Sequence, residues 1–210
     1  MPFWKIFRGR PPIDTLSDLA DFIDAQAAFL AQKGIYEYSR ARAGHYSKVL
    51  FAEAEFQHAV EQSRWRAFPL TLAMVAEITE GILRPQVGDD RRAMLDVLNP
   101  LVLSVLDRYP CPPQLAKTEW LDARRELARR LDLIGIHAVK FAKDVPEPLV
   151  NDYFALLPIH EKLRTHDYPA IRNYLRVTLC NIHDEFEQRA DKAALVRNLR
   201  AEMKTGGSPA

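Results

Sequence analysis

Apolar residues recur at every third or fourth position through nearly the whole chain, and no stretch alternates apolar and polar residues long enough to suggest a strand. The pattern predicts an all-α fold: a compact array of about seven or eight helices, bundle-like or orthogonal, with proline-rich connectors. The first helix starts at Thr15, which forms a capping-box-like pair with Asp18, Asp replacing the more usual Glu. Leu16, Leu19, Ile23, Ala27 and Leu30 make its buried stripe. Gly34 ends or merely thins it, and IYEYSRARA can carry it on to a stop at Gly44.

Ser47 is expected to cap a second helix carrying Val49, Ala52, Phe56, Ala59 and Val60. Pro69, which has no amide donor, should end it and open a third helix with Leu72, Val75, Ala76 and Leu83 on one face. GDD at 88–90 caps a fourth, holding Met94, Val97, Leu98, Leu101, Val105 and Leu106 and kinked at Pro100. After YPCPP, Thr118 opens a helix whose Leu121, Arg124, Leu127, Ala128, Leu131, Ile134, Ala138 and Phe141 keep the period until VPEP at 145–148. A short helix holds Tyr153, Phe154 and Leu157. The next takes Asp167 as N-cap and Pro169 in its first turn, and buries Ile171, Tyr174, Leu175, Thr178, Leu179, Ile182 and Phe186. Leu195, Val196 and Leu199 mark a weaker last segment. The organisation read from this is a basic aromatic arm at 1–12, one helical domain at 13–204 and a disordered tail at 205–210.

With 210 residues, 48% of them apolar, the chain can bury a sizeable core. Its formal net charge of +1 is unevenly spread: outside Lys5, Arg8 and Arg10, 26 basic residues face 28 acidic ones. A body without basic surplus lacks the concentrated positive face that duplex nucleic acid requires. Cys111 and Cys180 form neither a disulfide framework nor a metal-ligand spacing, which fits a reducing cytoplasm. The longest apolar runs, LVLSVL and LDLIGIHAV, are too short or interrupted to span a bilayer, and the first residues lack a signal-peptide h-region and cleavage site. The expected location is the cytoplasm, with peripheral contact at the inner face of a membrane left open.

Four constellations carry candidate chemistry. Glu55 and His58, three apart in AEFQHA, share one helical face and suit a metal ion. Ferritin-like centres need two such motifs and two more glutamates, and here only Glu77, Glu80, His183 and Glu187 are available to complete the set. Arg40, Arg42, His45 and Lys48 crowd a helix end and the next helix start. With Arg64 and Arg66 they would suit an anionic or phosphorylated ligand if the two helices pair. IHEKLRTHD and NIHDEFE supply His160, Glu161, His166, Asp167, His183, Asp184 and Glu187, neighbours of the acid–base type but without a nucleophile motif or glycine-rich phosphate loop.

The fourth is MPFWKIFRGR. On a helical wheel Phe3, Trp4, Ile6 and Phe7 fall on one side and Lys5 and Arg8 on the other, while Gly9 and two prolines close the segment after little more than two turns. So short an amphipathic piece folds only against something: a membrane surface, a partner groove or its own domain. The sequence therefore leads to a non-enzymatic helical binding or adaptor protein whose arm, Phe3, Trp4, Lys5, Ile6, Phe7, Arg8 and Arg10, contacts a membrane surface or protein partner. The alternatives are a metal-binding protein or oxidoreductase built on Glu55 and His58, and an anion binder using Arg40, Arg42 and His45. No cofactor is expected under the first reading, and the aromatic content, Trp65 and Trp120 included, is compatible with a homodimer.

Overall fold

The computed structural model describes residues 11–206, so the residues of the arm singled out above, Phe3 to Arg10, lie outside the described part. Eight α-helical segments follow one another: α1 (Leu16–Ala43), α2 (Ser47–Leu50), α3 (Ala54–Val87), α4 (Arg91–Asp107), α5 (Lys117–Ile134), α6 (Val150–Ala155), α7 (Tyr168–Arg189) and α8 (Lys192–Gly206). Six are long and two are single turns or little more. The fold is all-α. Among the described residues the one β-type contact is an isolated bridge between Ile13 and Ala190.

α1 begins as its sequence requires. The Thr15 hydroxyl accepts from the Asp18 amide, and the Asp18 carboxylate accepts from the Thr15 amide. The helix runs through Gly34 and stops at Gly44, which adopts φ 51°. Gly34 is required for packing rather than for termination, because the Tyr153 hydroxyl and the Tyr174 ring occupy the space a Cβ would take. Both hydroxyls donate to the Leu30 carbonyl, at 3.4 and 3.1 Å.

α3 corrects the expected break at Pro69. A single helix of 34 residues, about 51 Å long, passes through both Pro69 and Pro85. Pro69 removes the donor for the Trp65 carbonyl, a loss that ends a helix left to itself. Here every residue from Ala67 to Ala76 is buried, and the Thr71 hydroxyl donates to carbonyls on both α1 (Ala27) and its own helix (Phe68). Apolar all round over this stretch, α3 is the central element, and its packing outweighs the missing bond.

The other helices surround it. α1 runs antiparallel to α3, with Ala27 opposite Thr71 and Ala31 near Arg64. α5 runs parallel to α3, from the Arg66–Glu119 pair to the Arg84–Ile134 contact. α7 descends beside α1, from Tyr38–Asp167 to Gln26–Glu185. α4 returns alongside, bringing Arg108 to Asp21 and Asp24. α8, weakly marked in the sequence, buries Leu195, Val196 and Leu199. Trp65, Phe68, Tyr109 and Trp120 stack edge to face at centroid distances of 5.3 to 6.2 Å, so both tryptophans belong to this chain's own packing.

Other boundaries shift for identifiable reasons. Ser47 and Asp90 make no side-chain cap, and GDD forms a separate 3₁₀ turn. α5 opens at Lys117 after an uncapped Ala116, not at Thr118, and Leu121, expected in its stripe, is exposed. Asp167 stands at the N-cap position of α7 but makes no cap bond: its carboxylate accepts from the Tyr38 hydroxyl at 2.7 Å and pairs with Arg42 at 3.1 Å, tying the ends of α1 and α7 together. α5 ends at Ile134, short of the expected Phe141.

Candidate functional site

The early end of α5 leads to the least ordinary surface of the molecule. Residues 135–141 leave the helix as a strap over the outer face of α3 and α7. Its base is fixed by a buried ionic clamp. Glu80, on α3 and 0% exposed, accepts two bonds from Arg84, at 2.7 and 2.6 Å, and faces the Arg91 Nε at 3.6 Å. The free edges of both guanidinium groups donate to the carbonyls of Ile134 and His137, at 2.8 to 3.3 Å. These are carbonyls that a continued helix would have used itself, so the clamp terminates α5 and locks the direction of the strap.

A second pairing holds the strap from its side: Glu77 lies 2.8 Å from Lys140 Nζ and 3.5 Å from His137 Nε2. Gly81 lets the strap approach α3, with Val139 Cγ1 only 3.2 Å from where a Cβ would stand. With its polar groups turned inward, the strap presents apolar ones outward. Ile136 is 77% exposed, Phe141 76% and Val139 50%. Lys143 Nζ lies 5.8 Å from the Phe141 ring, and Arg129 and Lys140 flank the same segment.

Below the strap, Ile78, Gly81, Ile82, Pro85 and Val139 floor a cavity of about 220 Å³ edged by His183, Glu187 and Lys192. The chain enters the fold beside it. Ile13 N donates to the Arg189 carbonyl and Asp191 N to the Ile13 carbonyl, each at 3.0 Å, so residue 13 is pinned one position from Lys192. The point at which the sequence-predicted arm joins the domain and the exposed apolar strap therefore share one end of the bundle.

At the other end of α3, a groove of about 360 Å³ lies between α3, α5 and α6. Trp65, Leu70, Leu115, Leu127 and Leu156 line its floor. Its rim charges are paired with one another: Arg66 with Glu119, and Arg130 with Glu126 and Asp152. The Tyr109 hydroxyl nearby donates to Asp24 at 2.8 Å, and its pKa is pushed up to about 12, first by burial and then by that carboxylate.

The structure separates most of the residues singled out from sequence. Glu55 and His58 are exposed on the first turns of α3. Because α3 is continuous, Glu77 lies 22 positions on, about 33 Å along the axis. Glu80 is spent on Arg84. Glu77, His183 and Glu187 do line one cavity, but no group of three or more metal-binding side chains with the geometry to hold an ion occurs among the described residues. Of the basic set, Arg42 is turned onto Asp167 and the Leu163 carbonyl, Arg64 onto Glu61 and Arg66 onto Glu119, while Arg40, His45 and Lys48 are exposed around the turn after α1. His160 accepts from the Lys162 amide at 3.3 Å, and His183 pairs with Asp184 at 3.2 Å. Both cysteines are free and half-buried.

Sequence reasoning missed the strap and the clamp. Periodicity ran through 134–141, and the signal against it was Gly135 followed by a glycine-free run of apolar residues with Lys140 and Lys143. The chain matches no family model, no curated protein and no solved structure.

Proposed function

We propose that this chain is a non-enzymatic helical binding protein that docks peripherally on an anionic membrane surface through one end of its bundle, using the strap and the N-terminal arm together. The observation that supports this most is the clamped strap, with Ile136, Val139 and Phe141 exposed within six residues on a base fixed by buried charge. Exposed apolar groups that cannot retreat into the fold favour a surface that takes them in. A lipid surface suits them because Lys143 stands beside Phe141 and because Lys5, Arg8 and Arg10 precede the entry point at Ile13, while the nearby Lys140 and Arg129 are held by Glu77 and Glu126.

Partial burial of Phe3, Trp4, Ile6 and Phe7 contributes roughly 4 to 6 kcal/mol before ordering, and each nearby cation about 1 kcal/mol at an anionic leaflet. After ordering costs the contact is weak and reversible, of the order of one lipid anchor. No helix among the described residues is long and apolar enough to cross a membrane.

Sedimentation with vesicles tests the reading. The full chain is expected to pellet with vesicles containing phosphatidylserine and to stay in solution with pure phosphatidylcholine, and the pelleted fraction on phosphatidylserine should fall as salt rises. Ile136→Ser with Phe141→Ser, and separately Trp4→Ser with Phe7→Ser, should each reduce the pelleted fraction. Equal behaviour of all forms on both vesicle types would remove the membrane reading.

A further inference from the structure

We infer that the groove between α3, α5 and α6 binds a small organic cation, an apolar body carrying a protonated amine. The site lies away from the strap and does not depend on the membrane reading. Its size sets the class of occupant. At about 360 Å³ it matches the small end of small-molecule sites, and it is too small to seat even two turns of a helix about 10 to 12 Å across. The floor of Trp65, Leu70, Leu115, Leu127 and Leu156 is apolar, and Ala123, on α5, is the smallest side chain of the lining.

The rim sets the sign of the charge. Four carboxylates line the groove, Glu119, Asp122, Glu126 and Asp152, against two guanidinium groups, Arg66 and Arg130. Both guanidinium groups are already turned onto carboxylates: Arg66 onto Glu119, and Arg130 onto Glu126 and Asp152, each at 2.8 Å. Such pairing uses up donors but not acceptors, because each carboxylate oxygen carries two lone pairs. The four acidic side chains stay 37 to 61% exposed, whereas Arg130 is 19% exposed. Arg125 and Arg129 also reach Asp122 and Glu126, but they lie outside the lining and are exposed, so their pairs are weak and screened by salt.

A further acceptor comes from the backbone. Pro69 has no amide, so the Trp65 carbonyl, on the helix face between these two lining residues, lacks its helical donor. The spare hydrogen-bonding capacity of the groove is thus acceptor in kind. It suits an ammonium, which brings three donors and a positive charge, and disfavours a carboxylate.

Titration of the full chain, followed by two-dimensional amide NMR, tests this with three probes that share one apolar body: phenylbutylamine, phenylbutanol and phenylbutyrate. At neutral pH they are a cation, a neutral molecule and an anion. The amine is expected to bind one site per chain about ten-fold more tightly than the alcohol, with the carboxylate weakest. Shifts should centre on Leu70, Ala123 and Leu156, and the advantage of the amine should shrink as salt rises. Equal affinities for amine and alcohol, or a preference for the carboxylate, would overturn the assignment of a cation. Shifts centred elsewhere, or no saturable shift with any probe, would overturn the site.

Two variants sharpen the result. Ala123→Phe fills the groove and should abolish binding of all three probes; full amine affinity in this variant would also overturn the site. Asp122→Asn with Asp152→Asn keeps the shape of the rim and should bring the amine down to the level of the alcohol, leaving the alcohol unchanged. An undiminished advantage of the amine there would count against the carboxylates as its partners. The ordering of the three probes in the unaltered chain stands whether or not either variant folds.

Discussion

The Tyr153 hydroxyl stands against the backbone of α1 at the point where a side chain on Gly34 would begin. Alanine stabilises most helix interiors relative to glycine by about 1 kcal/mol. At position 34 the sign reverses, because Tyr153 is fully buried and the Tyr174 ring closes the other side. Gly34→Ala is expected to destabilise the protein by about 1 to 3 kcal/mol in urea unfolding. Adding Tyr153→Phe should recover part of the loss, a coupling that a propensity effect alone would not produce.

Glu80 is the one fully buried carboxylate among the described residues, and two guanidinium groups converge on it. Glu80→Gln keeps the shape and removes the charge, leaving Arg84 and Arg91 uncompensated. The expected cost is about 3 to 5 kcal/mol. Amide exchange should quicken first at 134–140, since those carbonyls hang from the clamp. Protection lost uniformly across the chain would argue against a local role.

Tyr109 and Tyr174 give the protein an alkaline limit. Burial is the main cause of both raised pKa values, each at about 12, against about 10 for an exposed tyrosine. A phenol whose pKa is higher folded than unfolded contributes stability that is complete below pH 10 and is lost as pH rises toward 12. Stability should therefore fall across that window, and fall less steeply in Tyr109→Phe, Tyr174→Phe. A slope unchanged by both substitutions would place the alkaline loss elsewhere.

Asp167 separates a cap from a tether. If its carboxylate acted on the α7 amides, Asp167→Ala would cost the same whatever stood at Tyr38. Since the carboxylate accepts from Tyr38 and pairs with Arg42, Tyr38→Phe and Asp167→Ala are expected to be non-additive by about 0.5 to 2 kcal/mol in a double-mutant cycle. Burial and the Asp167 carboxylate together also hold the Tyr38 pKa well above its usual value.

The helical class and most buried faces were legible because a 3.6-residue period needs only local reading: Leu19, Ile23, Ala27 and Leu30, or Leu175, Leu179, Ile182 and Phe186, are buried as their spacing requires. What was not legible depends on residues far apart in sequence. Pro69 lies inside a helix because α1 packs around it. Asp167 serves Tyr38, 129 residues earlier. The clamp at Glu80 joins three helices that share no motif, and periodicity alone extended α5 through a strap whose carbonyls belong to Arg84 and Arg91. The aromatic and basic residues of 1–10 lie outside the described residues, and the strap was not legible beside them, because only the tertiary fold brings residue 13 to residue 190.

That pairing has a mechanical meaning. Ile13 is sewn by two hydrogen bonds to the turn between α7 and α8, and Arg189 Nε holds the Pro11 carbonyl at 3.1 Å. A pull on the first ten residues, whether from a bilayer or from a fused domain, is thus delivered to the α7–α8 turn before it reaches Leu16. The helices can ride on an anchored N-terminus as a rigid cargo, with the load diverted past α1.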